Sequence, residues 1–497
     1  MEFTLKNETF DVMIVPSDWR YSASIVGLVR FMEYFMLPHT IEEHEVPGQG
    51  FSDQALLFQR DDITEERYLQ FVEHCFSAEL QPCILEHYLC QVDVEFTAED
   101  VKTINELLNG VQATTLMKKI FAKQKYTPEK REYLLQLLLQ HKTELIKETY
   151  RNKRSLYYNF ANPNSLGKEA GDACRLNGYY VDMPKKGKSQ GYGFDKNRMD
   201  SEDSRFFDFI PFAFTGGRQT FFWNNSVDIQ AMVAANKELQ REMKHMKDKA
   251  EENNEKVNEL RVFWQFITQL MERRSFNVEV ITKVQDEDCF KTLFIRKKSA
   301  DILKTLRTKT KSGKMAYDSL SWSYPLRDGK IWINFQQITM NAIMNLAVFD
   351  NWIEYFLQES ARIKDSRRFR AVLYQWIRLN ILLRVQKEDA AMEQKKIASN
   401  VYIARRCAAA VSHKLPENKV NSYRTKLTSS LIYHDYERFC DTLLQLSNYT
   451  KLPFDFSYSL FTDFEGHKDV AYAFVEALDK SAGKSLEIAD TLLGKDK

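Results

Sequence analysis

Three groups of residues in this 497-residue chain have the types, and part of the spacing, that chemistry needs. His434-Asp435 has the form of the metal-binding pair of HD phosphohydrolases, where further His and Asp ligands fix the metals. The chain has nine histidines, and none makes a partner set with this pair. Asp435 is accounted for as the cap or first-turn acid of the helix that follows. Cys75, Cys83, His87 and Cys90 lie close together. Zinc takes paired ligands two to four residues apart. His87 and Cys90 fit as an i,i+3 helical pair, but the Cys75–Cys83 interval makes no knuckle, so thiols buried in a helical core are expected. Gly187-Lys188-Ser189 matches the end of a phosphate loop. The glycine that such a loop needs five positions earlier is Asp182, whose charge repels phosphate. No Gly-x-Ser-x-Gly elbow, His-Glu-x-x-His or dinucleotide fingerprint is present. The expectation is a chain without catalysis, metal or other cofactor. A metal-dependent nuclease built on His434-Asp435 and an adaptor that binds only protein are the alternatives.

Basic strips with aromatics are what remain. In 184–198, Lys185, Lys186, Lys188, Lys196 and Arg198 flank Tyr192 and Phe194 among glycines. Glycines let a backbone approach phosphates, and rings stack on unpaired bases. In 296–314, Lys297, Lys298, Lys304, Arg307, Lys309 and Lys311 could track a phosphate backbone, with a charged surface hairpin as the plain alternative. A third strip holds Arg367, Arg368, Arg370, Arg378, Arg384, Lys395, Lys396, Arg405 and Arg406. These cannot share one narrow stripe, but over two helices they could line one side of a bundle. Solvated helix faces usually balance their signs, and this one does not.

The elements that must position these groups follow from pattern. Residues 3–15 alternate like a strand, and Ser17-Asp18 caps a helix over SASIVGLVRFMEYF that Pro38 ends. ALLFQ reads as a strand, 65–90 as helical, and TINELLNGV and 128–152 as helices, the latter opened by Thr127-Pro128. FFDFIPFAF (206–214) and QTFFW (219–223) read as buried strands around Thr215-Gly216-Gly217. Residues 227–260 read as one charged helix or a helical hairpin, and 277–284 and 291–296 as strands. The last third is amphipathic at helical period throughout, with short connections that favour an antiparallel bundle. The fold class expected is α+β: a mixed α/β N-terminal body over 1–345, then an all-α helical bundle over 346–497.

Composition agrees. The formal net charge is +1, yet residues 1–110 carry 21 acidic and 6 basic side chains, whereas 361–430 carry 16 basic and 5 acidic. Such segregation creates local fields that the total conceals: a basic zone attracts phosphate backbones and an acidic one faces protein. Seven scattered cysteines, no apparent leader and no apolar run of membrane length point to a cytoplasmic protein with no membrane partner.

The order of DWRYSASIVGLVRFMEYF, FIPFAFTGGRQTFFWNNS, DYERFCDTLLQLSNY and KDVAYAFVEAL resembles the large subunit of CRISPR type I Cascade, in the version of type I-A and I-B systems. The resemblance spans essentially the whole chain. It implies an N-terminal domain that meets the CRISPR RNA 5′ handle and inspects the protospacer-adjacent motif in target double-stranded DNA. It implies a C-terminal bundle like the separate small subunit, which helps hold the displaced strand. Other Cascade subunits (backbone, handle-binding and small) become partners, and a transiently recruited helicase-nuclease does the cleavage. Several relatives carry a paired-cysteine zinc site; here Cys174 stands alone. Within this frame Arg218, Gln219, Asn224 and Asn225 are the flanking-motif candidates, because Arg suits guanine and Asn or Gln suits adenine or minor-groove edges. Relatives also yield a small subunit by internal translation. Met392 is the candidate start, leaving 106 residues, and Lys387-Glu388-Asp389 upstream permits a ribosome-binding sequence.

Overall fold

The computed structural model describes the chain except residues 6–8, 92–95, 111–112, 123, 169–174, 177–202, 254–258, 261, 265, 268–277, 286, 288, 307–318, 321, 327–330, 360–365, 385–389 and 480–497. Its contacts divide into two compact units, Met1–Ile295 and Arg296–Lys497. The stretch 296–345, assigned from sequence to the N-terminal body, groups with the helical unit.

In the first unit, β1 (Glu2–Thr4), β2 (Val12–Ile14), β3 (His39–Glu45) and β4 (Ser52–Phe58) form an antiparallel sheet in the order β1-β2-β4-β3. The single strand expected over 3–15 is thus a pair, with Glu2 opposite Ile14. Val12, Met13 and Ile14 are all fully buried. Consecutive burial means that both faces of the sheet are covered.

The helix Trp19–Tyr34 starts where Asp18 accepts a hydrogen bond from the Arg20 amide (2.8 Å) and is buried without a break from Ser22 to Met32. A helix buried on every side is a core helix. Against it lies the segment 205–213, which is a 3-10 turn (Arg205–Phe209) running into a helix (Ile210–Ala213), not the strand expected. Pro211 explains the difference. It has no N–H for a sheet ladder, but it suits the first turn of a helix. The aromatic rings of this segment interlock edge-on with the core: Phe209 meets Phe31 at 5.3 Å and Tyr68 at 5.2 Å. Asp208, buried among them, takes hydrogen bonds from Arg175 (2.6 Å), Tyr157 (2.5 Å) and the Gly167 amide (2.8 Å).

A second antiparallel sheet runs β5 (Thr215–Gly216), β6 (Gln219–Asn224), β7 (Val278–Val284), β8 (Phe290–Ile295). Ile229–Glu252 is one continuous helix that packs on β5 and β6.

The second unit contains the helix Lys297–Leu306, a hairpin of β9 (Ser323–Leu326) and β10 (Ile331–Asn334), and a succession of helices to Ala477. Of the segment 296–314, the described part Lys297–Leu306 is a helix. NAIMNLAVFDNWIEYFL breaks into Phe335–Asn345 and Asp350–Glu359, because Leu346 adopts a left-handed conformation (φ 51°).

The last helix among the described residues, Lys468–Ala477, is buried along its whole length and is packed by the helices Asp350–Glu359, Ser366–Arg384, Ala390–Lys414, Glu417–Ile432 and Ser457–Thr462. Its alanines let neighbours approach closely, and its charges are matched individually. Arg405 pairs with Glu476 at 3.1 Å, and Arg384 pairs with Asp469 (3.2 Å) and Asp350 (2.7 Å). Asn380 donates to the same two aspartates.

Burial pushes the Asp469 carboxyl up to about 6, with Arg384 opposing. A carboxyl raised in the folded state stabilises the fold when protonated. That contribution fades as pH rises from about 4 to about 6. Asp469→Asn removes it, so the melting temperature of the variant relative to the native chain should improve with pH across that window. A difference independent of pH would contradict the assignment.

Candidate nucleic-acid interface

The flanking-motif candidates sit on one strand. The β5–β6 turn is sharp because Gly216 has φ 143° and a Cβ there would lie 2.1 Å from the Gln219 carbonyl oxygen. Arg218 is exposed at the tip, and its carbonyl accepts from the Gln285 amide at 2.8 Å. Gln219 is half-buried beside it. Asn224 and Asn225 close the other end of β6, about 17 Å from Gln219 at strand rise. Asn224 is buried and donates to the Glu279 carboxylate, whereas the half-buried Asn225 accepts from the Val227 amide at 3.3 Å. The four residues are therefore two separate pairs, and the tip pair is the more open. Two residues that sequence reasoning missed join the tip. Lys247 of the helix Ile229–Glu252 reaches the Gly216 carbonyl at 3.4 Å, and Glu259 accepts from the Gln219 amide at 3.4 Å. Nothing in the sequence signals either, since both meet the turn only through tertiary packing.

The helical unit sorts its basic strip into two kinds of residue. Arg370, on the same face as Tyr374 and Arg378, pairs with Asp479 (3.4 Å), which also takes Arg424 (3.1 Å). Arg384 and Arg405 serve the buried acids of the last helix. Arg405 also lies 3.9 Å over the Tyr374 ring, with Arg378 at 6.0 Å. Arg367 and Arg368 stand in the first turn of Ser366–Arg384.

Helix Ala390–Lys414 is different. Its outward face presents Lys395, Ser399, Tyr402 and Arg406 at spacings of four and three, with Lys396 alongside, over a helix about 37 Å long. The Arg406 guanidinium lies 5.8 Å from the centre of the Tyr402 ring. Asn400 meets Ser459 of the short helix Ser457–Thr462 at 3.4 Å, and that helix exposes Tyr458 (72%) and Phe461 (42%). Tyr402 and Tyr458 carried a signal in the sequence: each is an aromatic at helical spacing from cations or solvent-facing polar residues. Met392 is exposed at the start of this helix.

Lys297 and Lys298 open the helix Lys297–Leu306, the first exposed and the second half-buried. Cations at a helix N-terminus oppose its dipole, so these two lysines are placed against local preference. Lys304 pairs with Asp301 at 3.1 Å. Lys185, Lys186, Lys188, Tyr192, Lys196, Arg198, Arg307, Lys309 and Lys311 lie outside the described residues.

The residues weighed for metal or catalytic chemistry have other partners. Asp435 caps Tyr436–Thr450 by accepting from the Arg438 amide (3.1 Å). His434 bonds the Tyr436 hydroxyl (2.8 Å), which donates to Glu465 (2.6 Å). The thiols expected to be buried are not: Cys75 and Cys90 are exposed and Cys83 is half-buried, because they fall on the outward sides of their helices. Among the described residues no three His, Cys, Asp or Glu side chains are grouped to hold a metal, and no helix is long and apolar enough to cross a membrane.

Fold and surface define an α+β protein with a one-signed, aromatic-bearing helical face. The chain belongs to a CRISPR-associated family: the model of CRISPR-associated protein Csx8 matches residues 10–478. No curated protein and no solved structure matches it.

Proposed function

We propose that this chain is the non-catalytic large subunit of an RNA-guided type I CRISPR Cascade surveillance complex in the cytoplasm. In this reading it recognises the protospacer-adjacent motif in target double-stranded DNA and stabilises the R-loop before a separate helicase-nuclease is recruited. Guide pairing reads most of the sequence, and protein reads the short flanking motif. In this reading the unit Met1–Ile295 meets the CRISPR RNA 5′ handle and the flanking motif, and the unit Arg296–Lys497 acts as the small-subunit-like bundle. The observation that carries the reading is the outward face of Ala390–Lys414, in a chain of a CRISPR-associated family. Lys395, Lys396 and Arg406 offer charge to phosphates, and Tyr402 offers a ring to an unpaired base, as single-strand binding requires.

Two measurements test it. Co-purification with the neighbouring operon's products should recover short RNAs with a constant 5′ handle; recovery of the chain alone, free of RNA and partners, counts against it. In titrations of single-stranded DNA, Tyr402→Ala should weaken binding roughly thirtyfold, the middle of the range for one stacked base. Arg406→Ala should flatten the log–log salt dependence by about 0.7, one phosphate contact on a single strand. Unchanged affinity and slope in both variants would remove this face from the interface.

A further inference from the structure

The tip of the β5–β6 hairpin is built as a cradle for an anion, and the chain fills it with a carboxylate of its own. Glu259 lies over Gly217, and a Cβ on that glycine would stand 2.3 Å from Glu259 Oε1. The space exists only because the residue is glycine. The Gln219 amide points at Glu259 Oε2 (3.4 Å), and the amide of Arg218 acts on the same carboxylate. Successive backbone N–H groups converging at a glycine turn form an anion-binding concavity. Lys247 supplies a cation beside it, anchored on the Gly216 carbonyl. Lys244, exposed three residues earlier on the same helix face, and Arg218, exposed at the tip, extend the positive edge outward.

Glu259 is held there at a desolvation cost. Burial pushes its carboxyl above the usual range, against the Gln219 and Arg218 amides and Lys247, and the nearby Glu79 adds a smaller push in the same direction as burial. Glu79 itself is fixed by Ser155 Oγ at 2.8 Å. A carboxylate held against a desolvation cost can give way when a competing anion arrives.

We propose that the Gly216–Gln219 turn with Lys247 is a binding site for a nucleic-acid backbone phosphate, and that Glu259 is its resident placeholder, displaced when the strand binds. The inference rests on the proposed nucleic-acid-binding function and deepens it. It assigns the tip a phosphate contact that sets register, leaving the Arg218 side chain to reach a base edge. The phosphodiester could belong to target duplex or to guide RNA, since both present the same group.

Glu259→Gln tests the proposal, because glutamine keeps the shape and the acceptor and loses only the charge. The full-length native chain and the variant are titrated with a duplex DNA oligonucleotide and, separately, a single-stranded RNA oligonucleotide. Removing one like charge beside the bound phosphate should tighten binding by about fivefold. The gain should appear on the duplex arm if the site serves target DNA and on the RNA arm if it serves the guide. Lys247→Ala added to Glu259→Gln should cancel the gain and flatten the salt slope by about 0.9 on the duplex arm or about 0.7 on the RNA arm. If the native chain binds either probe and Glu259→Gln binds it no more tightly, Glu259 is a structural tie. The placeholder assignment then falls while the proposed function stands. If neither protein binds either probe, both fall.

Discussion

A polypeptide running from Met392 to Lys497 is expected to be largely unfolded by itself, whereas one running from Arg296 to Lys497 should fold. The helix Lys468–Ala477 is the axis of the bundle, and the fragment would strip one side of it. Asp469 would lose Arg384 and Asn380, and Tyr472 would lose Glu354, to whose carboxylate it donates at 2.6 Å. Breaking a buried ion pair by removing one partner costs roughly 3–5 kcal/mol. The apolar surface opposite Trp376 and Ile377, both fully buried, would also be exposed. A whole domain is stable by only about 5–15 kcal/mol. Far-UV circular dichroism and thermal melts of both fragments check this, and a cooperative melt of a monomeric 392–497 fragment would contradict it. If translation does start at Met392, the product should persist only where a partner covers the face that Asp350–Glu359 and Ser366–Arg384 cover in the full chain.

Gly27→Ala should destabilise the first unit by roughly 2–3 kcal/mol, the upper part of the range for overpacking a core. Position 27 lies at the middle of the buried helix Trp19–Tyr34, where alanine would ordinarily improve a helix. Here the added Cβ would stand 2.1 Å from the Phe209 carbonyl oxygen and 2.9 Å from its carbon. These are backbone atoms and cannot rotate away. The helix and the 205–213 segment would have to part, loosening Phe31 from Phe209 and Tyr21 from Phe207, rings now 5.3 and 4.9 Å apart. The midpoint of urea unfolding followed through aromatic fluorescence measures the effect. A variant with the native midpoint would show that the close approach is dispensable.

Much of the architecture was legible because local signals agreed with one another. Asp18 and Asp435 cap the helices expected of them, QTFFW is the strand β6, and the last third is helical where its period is helical. Legibility failed where two local signals conflicted. FFDFIPFAF is apolar and aromatic enough for a strand, but Pro211 sets its backbone as a turn and helix. NAIMNLAVFDNWIEYFL has one continuous helical period, yet Leu346 turns left-handed and divides it.

The candidate interface was legible as composition and not as geometry. The sequence by itself determined which segments carry surplus cations, where aromatics accompany them, and that Gly216-Gly217 makes a turn. Only the tertiary structure decided which cations face outward. Arg370, Arg384 and Arg405 are drawn to Asp479, Asp469 and Glu476, acids that lie 71 to 109 residues away along the chain. Only the tertiary structure brought Lys247 and Glu259 to the hairpin tip. The physical reason is the reach of the forces involved. Helix caps, turns and periodicity act within a few residues, so a sequence displays them directly. An ion pair or an anion cradle depends on Coulomb and hydrogen-bond contacts a few ångströms long between residues far apart in the chain, and folding alone sets those distances.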